Sequence, residues 1–176
     1  KKIVLIATEG ETDDLFYKKI LNILKTKTNN CCFNVDKIDF ICVKGFGKFE
    51  SKLISKYKNL SKKYQKEYKN CDIYIFLCYD NDVFIGKRNP PISWKRIEKE
   101  LYQNKATGVY HIVADKTIED FILYDFDGVL KYLRLSNLNK NNYKGLDGLK
   151  KLFKKAQKAY IKGTKCEGLL NALNFN

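Results

Sequence analysis

The chain has 176 residues, with 34 lysines and arginines against 20 aspartates and glutamates, for a formal net charge of +14. Hydrophobic content of 44%, with 14% aromatics, excludes a disordered chain and suits one ordinary domain with a sizeable core. No apolar run is long enough to cross a bilayer, and the lysine-led start runs directly into acidic residues without a cleavage pattern, so a cytoplasmic protein with no membrane partner is expected.

Lys2 to Ala7 reads as a buried strand, followed by Thr8, Glu9, Gly10, Glu11, Thr12, Asp13 and Asp14. A strand that ends in carboxylates beside a glycine lets backbone approach a ligand closely. Thr12 to Thr26 carries Leu15, Phe16, Ile20, Ile23 and Leu24 at helical spacing, with Thr12 as the expected N-cap. Thr28 to Val35 is a connector, and Lys37 to Val43 is a second strand. Lys44, Gly45, Phe46, Gly47 and Lys48 follow it, a loop whose amides can wrap an anion, although it lacks the spacing of a Walker A loop. Glu50 to Lys69 is expected as a lysine-rich helix with Leu53, Ile54, Tyr57, Leu60 and Tyr64 inward.

Asp72 to Tyr79 is the most apolar stretch and reads as a strand buried on both faces. It ends in Asp80, Asn81 and Asp82. Residues two apart in an extended chain point the same way, so Asp80 and Asp82 can face one cation. A hard divalent ion such as Mg²⁺ is commonly held by one or two carboxylates, waters and substrate phosphates. The plain alternative is a polar turn. Lys87 and Arg88 lie in the following loop, where contact with a substrate phosphate is expected. Trp94 to Asn104 reads as a helix, and Val109 to Val113 as a strand whose lone His111 is read as structural.

Strand and helix alternate to this point, which implies a mainly parallel four-stranded sheet with helices on both faces. Asp115 to Tyr124 is expected to be helical, with Glu119 the better candidate metal ligand and Asp120 the second. Asp127 to Leu135 continues helically, Ser136 to Lys144 is a polar linker, and Leu146 to Ile161 is a basic amphipathic helix that lies on nucleic acid or caps the core. A short helix, Cys166 to Leu173, closes the chain.

Six cysteines without a C-x-x-C pair, and a single histidine, do not fit zinc-ligand spacing, so buried free thiols are expected. The positive charge beside a local acidic cluster points to a polyanion held by lysines and processed at carboxylate-bound metal, with part of the lysine excess attributable to compositional bias.

The order of Glu9-Gly10 after the first strand, then Asp80-x-Asp82 after a later one, resembles the Toprim domain of topoisomerases, bacterial primases, ribosomal-RNA-maturing ribonucleases and overcoming-lysogenization-defect (OLD) nucleases. The resemblance covers roughly residues 1–125. It implies a Rossmann-like Toprim catalytic domain over 1–125, with a basic helical extension over 126–176 packed on it. It implies a nuclease cutting RNA or DNA with Mg²⁺ or Mn²⁺, in phage defence or a mobile element, with a partner ATPase or other defence-system protein. Glu9, Asp80 and Asp82 take the catalytic and metal roles, and the OLD-like branch adds Asp13 and the acidic helix that holds Glu119 and Asp120. Gly10, Lys44, Gly45, Gly47, Lys48 and Lys116 fall on the substrate side. A late lysine near the second metal corresponds to Lys162 or Lys165. In related defence-associated Toprim proteins a Trp stands where this chain has Phe121. The alternatives are a non-catalytic nucleic-acid-binding or partner-sensing module of the same fold, and a receiver-like or flavodoxin-like protein, which the charge and the long lysine helix suit less well.

Overall fold

The structure is a computed structural model that describes residues 1–27, 34–81, 92–115, 117–163 and 166–175. Four strands form one all-parallel sheet: β1 (Lys2–Thr8), β2 (Lys37–Cys42), β3 (Asp72–Asp80) and β4 (Gly108–Ala114), in the order β2-β1-β3-β4. The chain goes from β1 to one side for β2, then crosses to the other side for β3. The strand order therefore reverses between β1 and β3, and their C-terminal ends lie side by side. Crevices at such reversals are where open α/β sheets bind ligands.

One face of the sheet is closed by α2 (Ile54–Glu67) and α3 (Trp94–Gln103). Ile3, Leu5 and Ala7 of β1 and Ile73, Ile75 and Leu77 of β3 alternate into that core and meet Leu53, Tyr57, Tyr64, Ile97 and Leu101. The opposite face carries α1 (Glu11–Lys27), whose Lys18 lies over the Phe40 ring of β2. The acids in the first turn of α1 and the lysines in its last turn both complement the helix dipole. Tyr17 of α1 reaches Cys78 near the end of β3, but Tyr74 and Phe76 farther back on that strand are half-buried, and Tyr110 and Ile112 of β4 are exposed. The expectation that β3 is buried on both faces is corrected accordingly.

A second core gathers Phe16 of α1 with α4 (Ile118–Ile122), α5 (Phe126–Leu133), α6 (Gly145–Lys155) and α7 (Glu167–Ala172). Residues after 125 thus pack on the earlier part of the chain through one continuous cluster. The polar stretch read as a linker takes part in it: Lys140–Asn142 is a 3₁₀ turn and Tyr143 is buried. No helix among the described residues is long and apolar enough to cross a membrane.

Several boundaries differ from the sequence reading. The first helix starts at Glu11, which places Thr12 inside it and buried, not at the N-cap. Residues Phe49–Leu53 form a π turn ahead of α2, and α2 stops where Tyr68 becomes extended. The expected helix from Leu146 to Ile161 ends at Lys155, because Gln157 adopts a left-handed φ of 55°. The segment after it leaves the helix axis and returns to the C-terminal edge of the sheet. Cys42, Cys71, Cys78 and Cys166 are free, but only Cys78 is buried.

Candidate functional site

Parallel pairing in register brings the ends of β1 and β3 together, with Ala7 opposite Leu77. Just beyond that point the Asp80 backbone N–H donates to Glu9 Oε1 at 3.0 Å. The Glu9 carboxylate therefore reaches the Asp80 backbone across the two strand ends. Asp80 is 2% exposed; its Oδ1 accepts from the Ile118 N–H at 3.1 Å, and its Oδ2 pairs with Lys162 Nζ at 2.8 Å. The N-terminus of α4 thus holds one carboxylate oxygen, and the chain after α6 supplies a cation to the other.

Asp13 enters from the first turn of α1 and is buried. Its carboxyl is pushed up to about 7, first by burial and then by the charges of Asp80 and Glu9. Glu119 enters from α4 and is fully buried. Burial raises its pKa, with Lys162 and Tyr160 opposing the shift. The Tyr160 hydroxyl donates to Glu119 Oε1 at 3.1 Å, while Glu119 Oε2 has no hydrogen-bond partner among the described residues. Four carboxylates from four different elements therefore share one electrostatic environment. Beside them lies a cleft of about 520 Å³ lined by Glu9, Gly10, Glu11, Asp13, Lys44, Gly45, Lys162 and Gly163.

Asp120 falls outside this cluster. Its Oδ1 accepts from the Gly145 N–H at 2.8 Å, and its Oδ2 accepts from the Thr117 hydroxyl at 3.2 Å and the Thr117 N–H at 3.4 Å. It caps α4 and ties it to α6, which makes Glu119 the acid that α4 turns toward the site.

The glycine loop also behaves differently from the anion cradle expected of it. The Gly45 N–H donates to the Glu9 carbonyl at 2.8 Å, and the Lys48 N–H to the Gly45 carbonyl at 3.0 Å. The Gly45 amide thus ties the loop to Glu9 and the Lys48 amide closes a turn within the loop, so these two amides already have backbone partners. Lys44 pairs with Glu11 at 3.1 Å on the rim of the cleft, and Gly47 and Lys48 are exposed outside it. His111 bridges the Tyr79 hydroxyl and Glu98, at 3.1 and 3.0 Å, as a structural residue does. Asp82, Lys87, Arg88, Lys116 and Lys165 lie outside the described residues.

Gly10 is the closest approach in the site. A Cβ built there would stand 2.9 Å from Gly163 Cα and 3.1 Å from Asp13 Oδ2. The Glu11 N–H donates to the Gly163 carbonyl at 3.2 Å. The absent side chain of Gly10 thus lets the 162–163 turn dock and carry Lys162 to Asp80. Tyr160 and Gly163 were missed from sequence, because an uninterrupted amphipathic pattern hid the end of α6; the pair Lys162-Gly163 was the available signal.

The buried acids make stability depend on pH. A carboxyl whose folded-state pKa lies above its unfolded one adds stability that is complete below the unfolded value and is lost as pH rises through the folded value. For Asp13 that window runs from 3.8 to about 7. In EDTA, urea unfolding at pH 5 and pH 8 should show the wild type losing on the order of 2 kcal/mol more than Asp13→Asn over that interval. Parallel losses in the two proteins would contradict the assignment.

No protein-family model, no curated protein and no solved structure matches the chain.

Proposed function

We propose that the chain is a metal-dependent phosphodiesterase that cuts RNA or DNA, of the small Toprim kind, with Mg²⁺ or Mn²⁺ held by carboxylates. The observation that carries this reading is the convergence of Glu9, Asp13, Asp80 and Glu119 at the point where the strand order reverses. Buried like charges are costly unless a cation compensates them, and an orphaned buried oxygen such as Glu119 Oε2 fits a metal ligand. Glu9 and Asp80 would hold one ion, and Asp13 and Glu119 would complete a second position. When bound, such ions neutralise charge on phosphoryl oxygens and lower the pKa of a coordinated water.

The chain's own residues contribute the rest. The Ile118 amide fixes Asp80, and the Tyr160 hydroxyl orients Glu119. Lys162, paired with Asp80 in the structure, would meet a phosphate oxygen once a cation takes Asp80, with Lys44 across the same cleft. A role in phage defence or a mobile element, with a partner ATPase or other defence protein, belongs to the same proposal and rests on the resemblance alone.

A second reading is a non-catalytic module that binds nucleic acid or senses a partner. It is favoured by the ion pair of Asp80 with Lys162, and because no three acid, imidazole or thiol groups among the described residues already form a metal cage. Incubation with labelled RNA, single-stranded DNA and duplex DNA separates the two. Phosphodiesterase activity predicts cleavage of at least one substrate that requires Mg²⁺ or Mn²⁺; no cleavage of any substrate with either metal supports the module.

A further inference from the structure

Three concavities are linked by shared lining residues. The first, about 230 Å³, is lined by Asp120, Leu123, Tyr124, Lys140, Tyr143 and Lys144 among others. The second shares Tyr143 with it and adds Lys151, Lys154 and Lys155. The third shares Lys155 with the second and adds Tyr132, Arg134 and Lys158. Seven cationic side chains therefore follow one another along a single path. Among the described residues that line it, Asp120 is the sole carboxylate, and that group is held by Thr117 and Gly145.

An anomaly marks the first of them, which Tyr124 lines. Tyr124 is 72% exposed, the highest value among the exposed large hydrophobic side chains, and it belongs to the turn that directly follows α4. The exposed Phe121 ring lies 6.0 Å away. Lys140 Nζ donates to the Tyr124 carbonyl at 3.0 Å and stands 5.7 Å over the Tyr124 ring, which fixes the aromatic beside a cation. At the far end Lys158 lies over Tyr132 at 5.2 Å. A row of cations beside the exposed Tyr124 ring matches a nucleic-acid strand whose phosphates track the lysines while a base stacks on that ring. Duplex bases are already stacked and offer no free face to Tyr124.

We propose that this path binds single-stranded nucleic acid, with a base stacked on Tyr124 and the backbone running over Lys144, Lys151, Lys154 and Lys155. It rests on the phosphodiesterase reading for where the strand leads: Glu119 faces the acid cluster from the same helix whose Asp120 lines the path.

The test is fluorescence anisotropy in EDTA, with labelled dT15, rU15 and a 15-base-pair DNA duplex, across 50 to 200 mM NaCl. Both single strands should bind at least tenfold more tightly than the duplex. Tyr124→Ala should weaken single-strand binding by about 5- to 100-fold, and Tyr124→Phe should restore it. Tyr124 is exposed, so its replacement leaves the core alone, and circular dichroism checks this. Combined replacement of Lys151, Lys154 and Lys155 by alanine should reduce the slope of log K against log salt by about 2. Equal affinity for the duplex, or unchanged binding by Tyr124→Ala, would overturn the proposal. The assay needs no cleavage, so the two readings fail separately. Binding as described without metal-dependent cleavage removes the phosphodiesterase and keeps the path; cleavage with unchanged binding by Tyr124→Ala does the reverse.

Discussion

Asp80→Asn should lower Mg²⁺- or Mn²⁺-dependent cleavage by about three orders of magnitude while leaving the protein folded. A metal contributes several kcal/mol of charge stabilisation in phosphoryl transfer, and each 1.36 kcal/mol is a factor of ten in rate. Asparagine keeps an oxygen for the Ile118 amide but loses the charge that a cation and Lys162 both need. The fold should tolerate the change, because removing one of four clustered carboxylates relieves repulsion and the half-exposed Lys162 can turn to solvent. Glu9→Gln should behave alike, since its Oε1 would still accept from the Asp80 amide. Steady-state cleavage of the best substrate, with a thermal melt of each variant, checks both halves. A variant that cuts at the wild-type rate would place the chemistry elsewhere.

Gly10→Ala should damage the site through the backbone. The added Cβ would meet Gly163 Cα at 2.9 Å, which is main chain and cannot swing aside as a flexible side chain can. Overpacking of this kind costs about 1–3 kcal/mol. Relief requires the 162–163 turn to move away, which breaks the bond from the Glu11 amide to Gly163 and draws Lys162 off Asp80. Cleavage should therefore fall at least tenfold along with a loss of stability. Gly47→Ala is the control: nothing lies within 4 Å of its Cβ, so it should leave both quantities unchanged. Equal effects of the two substitutions in urea unfolding and cleavage would remove the close-approach argument.

The sheet was legible because its signals are local. Runs such as Ile3 to Ala7 and Ile73 to Tyr79 carry β-branched and aromatic residues between polar ends, and alternation with helical spacing fixes parallel pairing. The same signals put Glu9 and Asp80 at strand ends, whereas Asp13 was singled out by the resemblance to OLD-like Toprim domains. Glu119 was separated from Asp120 only by preference; the spacing from Thr117 to Asp120 is a capping pattern that would have decided it.

What could not be read were events decided by distant contacts. No glycine or proline marks the end of α6, so the left-handed Gln157 was invisible, and with it the return of Tyr160 to Glu119. The choice between Lys162 and Lys165 was open in the sequence; the structure places Lys162 on Asp80, and Lys165 lies outside the described residues. Exposure of Tyr110 and Ile112 depends on how far α1 reaches across the sheet, which no local pattern states. The Lys44 to Lys48 loop looked like an anion cradle because composition shows which amides exist, not what they bond.

The central claim is that the four acids form a cation site. A crystal soaked in Mn²⁺ and measured at an anomalous wavelength tests it most directly. The account predicts a peak about 2 Å from carboxylate oxygens of both Glu9 and Asp80, with Lys162 Nζ withdrawn from Asp80. A saturated crystal with no peak among Glu9, Asp13, Asp80 and Glu119, and with Lys162 still paired to Asp80, would contradict it.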